Sequence, residues 1–95
     1  MTNDMLHIGS VVLSVRGRDK GNYFTVIDQV GDVVYIADGD RHKLSSPKKK
    51  NIKHVRSCGE VLEGIADKLT ENKKVFDSEL RSALRRYNDT MQKTQ

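Results

Sequence analysis

The residues of this 95-residue chain that could do chemistry are mostly cations, and a glycine-rich loop concentrates several of them. Gly17 and Gly21 lie in this loop, in which Arg16, Arg18 and Lys20 alternate with other residues. Glycine adopts positive φ freely and has no Cβ to hold a ligand away, so the spacing predicts a sharp turn with cations at its tip. A loop of this kind suits a polyanion.

A second group of cations follows in residues 41–59, which contain no acidic residue. Residues 1–59 carry 10 Lys and Arg against 6 Asp and Glu, whereas residues 60–95 carry 7 of each, so the net charge of +4 lies in the first part. This uneven distribution indicates an anionic partner. If the two groups converge on one face, that face can bind the phosphate backbone of RNA, because lysine and arginine displace condensed counterions.

The candidate RNA-binding residues combine these cations with one aromatic side chain. Tyr23 can stack on an exposed base, although a tyrosine here is also typical of a half-buried strand. The lysine run has an alternative interpretation as a solvated loop. We expect Phe24, Tyr35 and Phe76 in the core. The complete candidate set is Arg16, Arg18, Lys20, Tyr23, Arg41, Lys43, Lys48, Lys49, Lys50, Lys53 and Arg56.

Catalytic and metal-binding candidates are few. His7, His42, His54 and Cys58 show neither the Cys-x-x-Cys nor the His-Glu-x-x-His spacing of metal sites. The loop after Gly17 leads into a strand pattern, whereas a nucleotide-binding loop leads into a helix. We therefore predict a protein that is not an enzyme and that uses no cofactor and no metal.

The composition argues against a membrane or secreted protein. No apolar run approaches the roughly 20 residues that a membrane span needs, and the N-terminus lacks the basic-then-apolar layout of a signal peptide. Cys58 is the single cysteine and cannot form an intrachain disulfide. These features predict a cytoplasmic protein without a membrane partner.

Five short strand patterns must position the basic loop. The predicted strands are Val11–Val15, Tyr23–Ile27, Val33–Ala37, Arg41–Ser45 and Ile52–Arg56. A tight hairpin is expected at Gly31-Asp32, and Pro47, which cannot donate to a sheet ladder, would end the fourth strand. This pattern predicts a mainly β fold with helices at the C-terminus: a flexible N-terminus at residues 1–7, then a small five-stranded SH3-like barrel over residues 8–56.

A helical period replaces the strand pattern from residue 57. Ser57 and Glu60 form a capping-box pattern, and Asn72 would end this first helix in the left-handed conformation. Asp77 would cap a second helix, with Glu79 in its first turn. The apolar faces are Val61, Leu62, Ile65, Ala66 and Leu69 in the first helix, and Leu80, Ala83, Leu84, Tyr87 and Met91 in the second.

These patterns predict a two-helix hairpin over residues 57–92 and a short tail at residues 93–95. The hairpin packs on the barrel, on a second copy or on another partner, and the sequence leaves the choice and the oligomeric state open. Arg81 and Arg85 have acidic residues four positions away, so local ion pairs account for both, whereas Arg86 has no such partner.

One stretch resembles a known motif. Gly9-x-Val11-Val12, followed by Gly17-Arg18-Asp19-Lys20-Gly21 and alternating apolar residues to Ile27, is similar to a KOW motif, with Gly9, Gly17 and Gly21 as its glycines. With residues 48–55 and the two helical patterns, the resemblance extends over most of residues 8–87. It points to the KOW-containing large-subunit ribosomal proteins of archaea and eukaryotes, a family that includes small bacterial members.

The resemblance implies an SH3-like barrel that binds ribosomal or other structured RNA, in translation or in association with the ribosome. Ribosomal proteins are then further partners. KOW domains of the NusG type dock on ribosomal or transcription proteins, so the alternative is a protein-interaction module. Asp19 departs from the basic character of the loop, where it would repel phosphate unless it paired with Arg16 or Arg18 or capped the turn.

Overall fold

A computed structural model describes residues 6–93 of the chain, with side chains described as far as residue 88. Five strands form one antiparallel sheet in the order β4-β3-β2-β1-β5, and two helices follow them. The elements are β1 (Ser10–Ser14), β2 (Tyr23–Val30), β3 (Val33–Ala37), β4 (Lys48–Asn51), a 3₁₀ turn (Ile52–His54), β5 (Val55–Val61), α1 (Glu63–Thr70) and α2 (Asp77–Lys93). The predicted mainly β class with C-terminal helices is confirmed, and the sheet is open, with β4 and β5 at its two edges.

Neighbouring residues of β1 pack on opposite faces of the sheet, so this strand is buried on both sides. Val11 belongs to a cluster that we call the helix-side core, with Ala37, Ile65, Leu80 and Leu84. Val12 belongs to the sheet core, which it forms with Phe24, Val26, Val34 and Ile36. Burial on both faces explains why β1 is a continuous apolar run rather than an alternating pattern.

The first three strands lie close to their predicted positions. β2 and β3 pair through Val30 and Val33, so that Gly31 and Asp32 form the expected two-residue hairpin. Gly31 has φ 59°, a conformation that such hairpin turns require.

The prediction for the fourth strand is wrong, and the prediction for the fifth is confirmed only at Val55 and Arg56, because Ile52–His54 form a 3₁₀ turn. Residues 41–46 form bends and turns, and two of their backbone N–H groups donate to carboxylates rather than to a neighbouring strand. The Asp38 carboxylate accepts from the N–H of His42 at 2.9 Å, and the Asp77 carboxylate accepts from the N–H of Leu44 at 2.8 Å. Pro47 therefore precedes β4 instead of ending a strand, a position in which its missing N–H removes no ladder bond.

The capping-box prediction at Ser57 to Glu60 is also wrong, since these residues belong to β5. Val61 pairs with Ser10 of β1, and an irregularity between Ser10 and Val12 accommodates the extra residues of β5. Pairing with a distant strand overrides the local capping pattern, as tertiary contacts commonly do. The first helix begins only at Glu63.

The end of α1 agrees with the prediction, whereas the start of α2 differs in its cap. Asn72 has φ 59°, and the N–H of Lys73 donates to the carbonyl of Lys68 at 2.7 Å, which together end the helix in a Schellman motif. Asp77 is already the first residue of α2 and holds Leu44 instead of capping the helix. The carboxylate of Glu79 accepts from the N–H of Phe76 at 3.2 Å, so the predicted acid in the first turn does stabilise the helix start.

Both helices pack on their own sheet, which is the first of the arrangements that the sequence allowed. Leu80 and Leu84 are fully buried in the helix-side core, and Ala83 and Tyr87 pack against it. Met91 belongs to the same predicted face but lies beyond the residues with described side chains. Of the predicted flexible N-terminus and tail, most residues lie outside the described part, while Leu6 packs against the sheet core.

None of the helices in the described part of the chain is both long and apolar enough to cross a lipid bilayer.

Candidate nucleic-acid interface

A buried ion pair ties the basic loop to the sheet. Lys50 of β4 is 8% exposed, and its Nζ donates to Asp19 Oδ1 at 2.8 Å and to the carbonyl of Arg16 at 2.6 Å. It lies opposite Val34, on the face of the sheet that the sheet core covers. Lys50 is therefore a structural residue and not the phosphate contact predicted from the lysine run. Asp19 pairs with Lys50 rather than with Arg16 or Arg18.

The environment of Asp19 favours its ionised form. Burial alone would raise the pKa of this carboxyl, but the hydrogen bond from Lys50, a backbone hydrogen bond and the charges of Lys50 and Lys48 together lower the pKa below its usual range. The negative charge of Asp19 is thus compensated inside the protein. The sequence made repulsion of phosphate depend on whether Asp19 had a partner, and the partner is Lys50.

His42 brings a third segment to the same point. Its Nε2 lies 3.5 Å from Asp19 Oδ2, and its ring lies 5.7 Å from the ring of Phe24, centroid to centroid. Asp19 Oδ2 is buried and has no hydrogen-bond partner within residues 6–93. The basic loop, β4 and the segment after β3 therefore meet at one carboxylate.

This arrangement collects exposed cations along one edge of the protein. Arg16, Arg18 and Lys20 are exposed on the loop, and the charge of Lys48 acts on Asp19 below them. We call these four residues, Arg16, Arg18, Lys20 and Lys48, the basic rim. The 3₁₀ turn that carries Lys53 lies beside the rim, because the N–H of Val15 donates to the carbonyl of His54 at 2.9 Å.

Three further candidates, Lys49, Arg56 and Lys43, lie outside the loop and outside the face of β4 that carries Lys48. Lys49 is opposite Tyr35 on the other face of β4, and Arg56 is opposite Leu13 on the other edge strand. Lys43 is exposed in the turns after β3. Only part of the predicted set is therefore brought together.

The aromatic residues agree with the sequence predictions only in part. Tyr23 is half-buried under α2, its ring lies 5.0 Å from that of Tyr87, and its N–H donates to Asn88 Oδ1 at 2.9 Å. This is the half-buried strand residue of the alternative interpretation, and its ring is engaged within the protein. Phe24 is in the core as predicted. Tyr35 is half-buried outside both cores, and Phe76 is 56% exposed, so the core predictions for these two are wrong.

The three predicted motif glycines all have positive φ, between 89° and 92°. Two of them also permit close contacts. A Cβ on Gly9 would lie 2.6 Å from the Cβ of Ala66 in α1, and a Cβ on Gly17 would lie 3.1 Å from Lys50 Nζ. Gly9 thus lets α1 approach the sheet, and Gly17 lets the buried lysine reach the loop.

A cleft that the sequence analysis missed opens beside the rim. It has a volume of about 330 Å³ and lies between the end of the loop, the turn after β3 and α2. We call it the arginine cleft. Its polar lining consists of Asn22, Asp38, Asp40, Arg41, Arg81, Arg85 and Asn88, and Leu84 is its apolar residue.

Two arginines of α2 have partners that the sequence did not predict, whereas Asp89, the predicted partner of Arg85, lies beyond the residues with described side chains. Arg81 donates from Nη1 to the carbonyl of Gly39 at 3.0 Å, while Asp77, its expected partner, accepts from Leu44. Arg86 pairs with Glu60 of β5. Arg81 and Arg85 are four positions apart, so the sequence alone indicates that they share one face of α2. Arg41 joins them in the cleft only because α2 packs beside the turn after β3.

Glu60 also organises the far side of α2. It accepts a hydrogen bond from the Tyr87 hydroxyl, and this bond, together with burial and the charge of Glu60, raises the pKa of Tyr87 to about 12. Partial burial of the sulfur and the nearby Glu60 raise the pKa of Cys58. A thiol with a raised pKa is protonated at neutral pH and is a poor nucleophile.

Within the part of the chain that the structure describes, no group of three or more His, Cys, Asp and Glu side chains could hold a metal ion. No protein-family model matches the chain, and no curated protein matches it in sequence.

Proposed function

We propose that this protein binds a structured RNA without catalysing a reaction on it, and that the basic rim contacts the phosphate backbone. The observation that carries the proposal is the buried pair of Asp19 and Lys50. It compensates the one acid of the loop and holds the loop against β4. The exposed cations are then presented without an opposing charge, on a loop whose backbone is already held in place and has less ordering to undergo on binding.

We also propose that the sheet is the SH3-like barrel of a KOW-type domain. The edge strands β4 and β5 are joined by a single three-residue turn. In a flat five-stranded sheet the edges would be about 19 Å apart, whereas the four chain steps from Asn51 to Val55 reach at most about 14 Å. This difference in length requires the sheet to curl strongly. The positive φ angles of Gly9, Gly17 and Gly21 are a second support, because they agree with the glycine positions of the motif.

Under this proposal the RNA is ribosomal, and the protein acts in the cytoplasm in translation or in association with the ribosome, with ribosomal proteins as neighbours. The support is the resemblance together with the placement of the basic rim. Crosslinking in cells and recovery of the bound RNA tests it. We expect a discrete ribosomal RNA segment, and recovery of no RNA above background would overturn the proposal.

The quantitative test compares two double variants that remove the same charge. Arg18→Gln with Lys20→Gln removes half of the basic rim, whereas Lys73→Gln with Lys74→Gln removes two exposed cations from the link between the helices. Affinity for the recovered RNA is measured over a range of salt concentrations. Each phosphate contact contributes about −0.7 to −0.9 to the slope of log binding constant against log salt concentration. The slope of the rim variant should therefore be smaller in magnitude by about 1.5, and the slope of the control should not change.

The protein-interaction alternative predicts that the crosslinking experiment recovers a protein instead of an RNA. Binding through an apolar surface changes little with salt. A salt-insensitive protein partner, captured equally by both variants, would support that alternative and would contradict binding through the rim.

A further inference from the structure

We propose that the arginine cleft is a second binding site, which takes one unpaired guanosine nucleotide. Arginine side chains would hold its phosphate, and the carboxylate of Asp40 would hold the edge of its base. The inference rests on the proposed function, because the RNA bound at the basic rim would supply this nucleotide.

The size and position of the cleft suit a single nucleotide of a longer strand. Its volume of about 330 Å³ lies at the lower end of the range for small-ligand pockets, roughly 300–1,000 Å³. Asn22, which lines the cleft, follows the basic loop directly, and its N–H donates to the carbonyl of Asp19 at 3.1 Å. One strand can therefore contact the rim and place its next nucleotide in the cleft.

The arginines provide the phosphate end of the site. Arg41 is exposed, and its guanidinium makes no hydrogen bond or ion pair to any residue of the described range. Arg81 uses one N–H on the carbonyl of Gly39, which positions its guanidinium while its other donors stay available. Two arginines from different segments, one of them already positioned, can contact a phosphate through paired N–H groups.

The acids of the cleft argue against a site for phosphate alone. Asp38 is buried, and its Oδ1 accepts from the N–H groups of Asp40 and His42, so its role is structural. Asp40 is exposed, and its carboxylate has no partner among residues 6–93. An unpaired carboxylate beside arginines repels phosphate but accepts hydrogen bonds from a base.

Guanine matches this carboxylate better than the other bases do. Its Watson–Crick edge presents two adjacent donors, N1–H and the N2 amino group, which a carboxylate accepts in parallel. Adenine and cytosine present a donor next to an acceptor, and uracil presents one donor between two acceptors. Unpaired bases are commonly recognised on this edge, so the lining of the cleft predicts a preference for guanine.

The test is an NMR titration of the full-length, ¹⁵N-labelled protein with GMP, AMP, UMP and inorganic phosphate. We expect GMP to shift the side-chain amide signals of Asn22 and Asn88 and to bind more tightly than the other three probes. Asp40→Asn should reduce the preference for GMP over AMP about fivefold or more without weakening AMP. Arg41→Gln should weaken all nucleotides. Asp32→Asn, an exposed acid of the β2–β3 hairpin, is the matched control and should change nothing.

The outcomes separate this inference from the proposed function. Equal binding of GMP and inorganic phosphate, or a GMP preference that survives Asp40→Asn, would overturn the guanosine site. If no nucleotide binds while RNA binding still depends on Arg18 and Lys20, the inference fails and the proposed function stands. If GMP binds in the cleft but no RNA binds, both the proposed function and the RNA origin of the nucleotide are overturned.

Discussion

At the scale of single residues, the pair of Asp19 and Lys50 determines where the basic loop lies. Lys50→Met would leave Asp19 as a buried charge without its partner. Removing one member of a buried ion pair is strongly destabilising, so we expect the free energy of unfolding to fall by about 3 kcal/mol. Chemical denaturation measures this change. Lys49→Met alters the exposed neighbour and should cost no more than about 0.5 kcal/mol; equal losses would contradict the structural role of Lys50.

The same pair makes stability depend on pH in the acid range. The pKa of Asp19 is lowered in the folded protein below its ordinary value of 3.8. Its contribution to stability is therefore complete above the unfolded value and is lost as the pH falls through the folded one. The difference in unfolding free energy between the wild type and Asp19→Asn should shrink as the pH falls from about 5 to below 3. A difference that stays constant over this interval would contradict the assignment.

Tyr87 should titrate late in alkaline solution. Its pKa is raised to about 12, first by the hydrogen bond to Glu60. The pKa of Tyr87 in the folded protein lies above the unfolded value of 10.0. The contribution of the Tyr87–Glu60 hydrogen bond to stability is therefore complete below pH 10 and is lost as the pH rises through about 12. Ultraviolet absorbance of tyrosinate should show a late step that Tyr87→Phe removes. Tyr35→Phe should keep that step, and loss of the step in this control would contradict the assignment.

At the scale of elements, the turn after β3 is packed tightly against the start of α2. A Cβ on Gly39, which has φ 79°, would lie 2.2 Å from the carbonyl oxygen of Asp77. Gly39→Ala must therefore move backbone as well as strain φ. We expect the free energy of unfolding to fall by about 1–2 kcal/mol because of the strained φ and by about 1–3 kcal/mol more because of the clash. Chemical denaturation measures this change.

Gly31→Ala is the matched control for this prediction. Gly31 also has positive φ, and a Cβ there would meet nothing within 4 Å. Only the strain in φ applies to Gly31→Ala, so its free energy of unfolding should fall by about 1–2 kcal/mol. An equal effect of the two substitutions would mean that the turn does not pack on α2.

At the scale of the whole molecule, sheet and helices should unfold as one unit, because the helix-side core contains residues from both. Leu80→Ala leaves a cavity in this core and should lower the free energy of unfolding by about 2–5 kcal/mol. Helical circular dichroism and tyrosine fluorescence should change at the same denaturant concentration in the wild type and in the variant. Phe76→Ala changes an exposed aromatic residue and is the control. Loss of the helical signal before the tyrosine signal would contradict a single unit.

Features that depend on neighbours in the chain were predictable from the sequence. The Gly31-Asp32 hairpin, the left-handed Asn72 and the apolar face of α2 follow from φ preferences and from the helical period. The predictions failed where a distant partner decided the outcome. Residues 41–45 are not a strand because Asp77, more than thirty positions away, accepts the N–H of Leu44. Ser57 and Glu60 do not cap a helix because β5 continues along β1.

For the candidate site, the sequence by itself determined that cations are concentrated in the basic loop and in residues 41–59, and that glycines turn that loop. Only the tertiary structure decided which cations are available. Lys48 and Lys50 are identical in type and two positions apart, yet one is exposed and the other is buried on Asp19. The physical reason is that charge belongs to the residue, whereas burial and partners depend on which strand lies opposite and on what covers it. The arginine cleft likewise exists only because α2 packs beside the turn after β3.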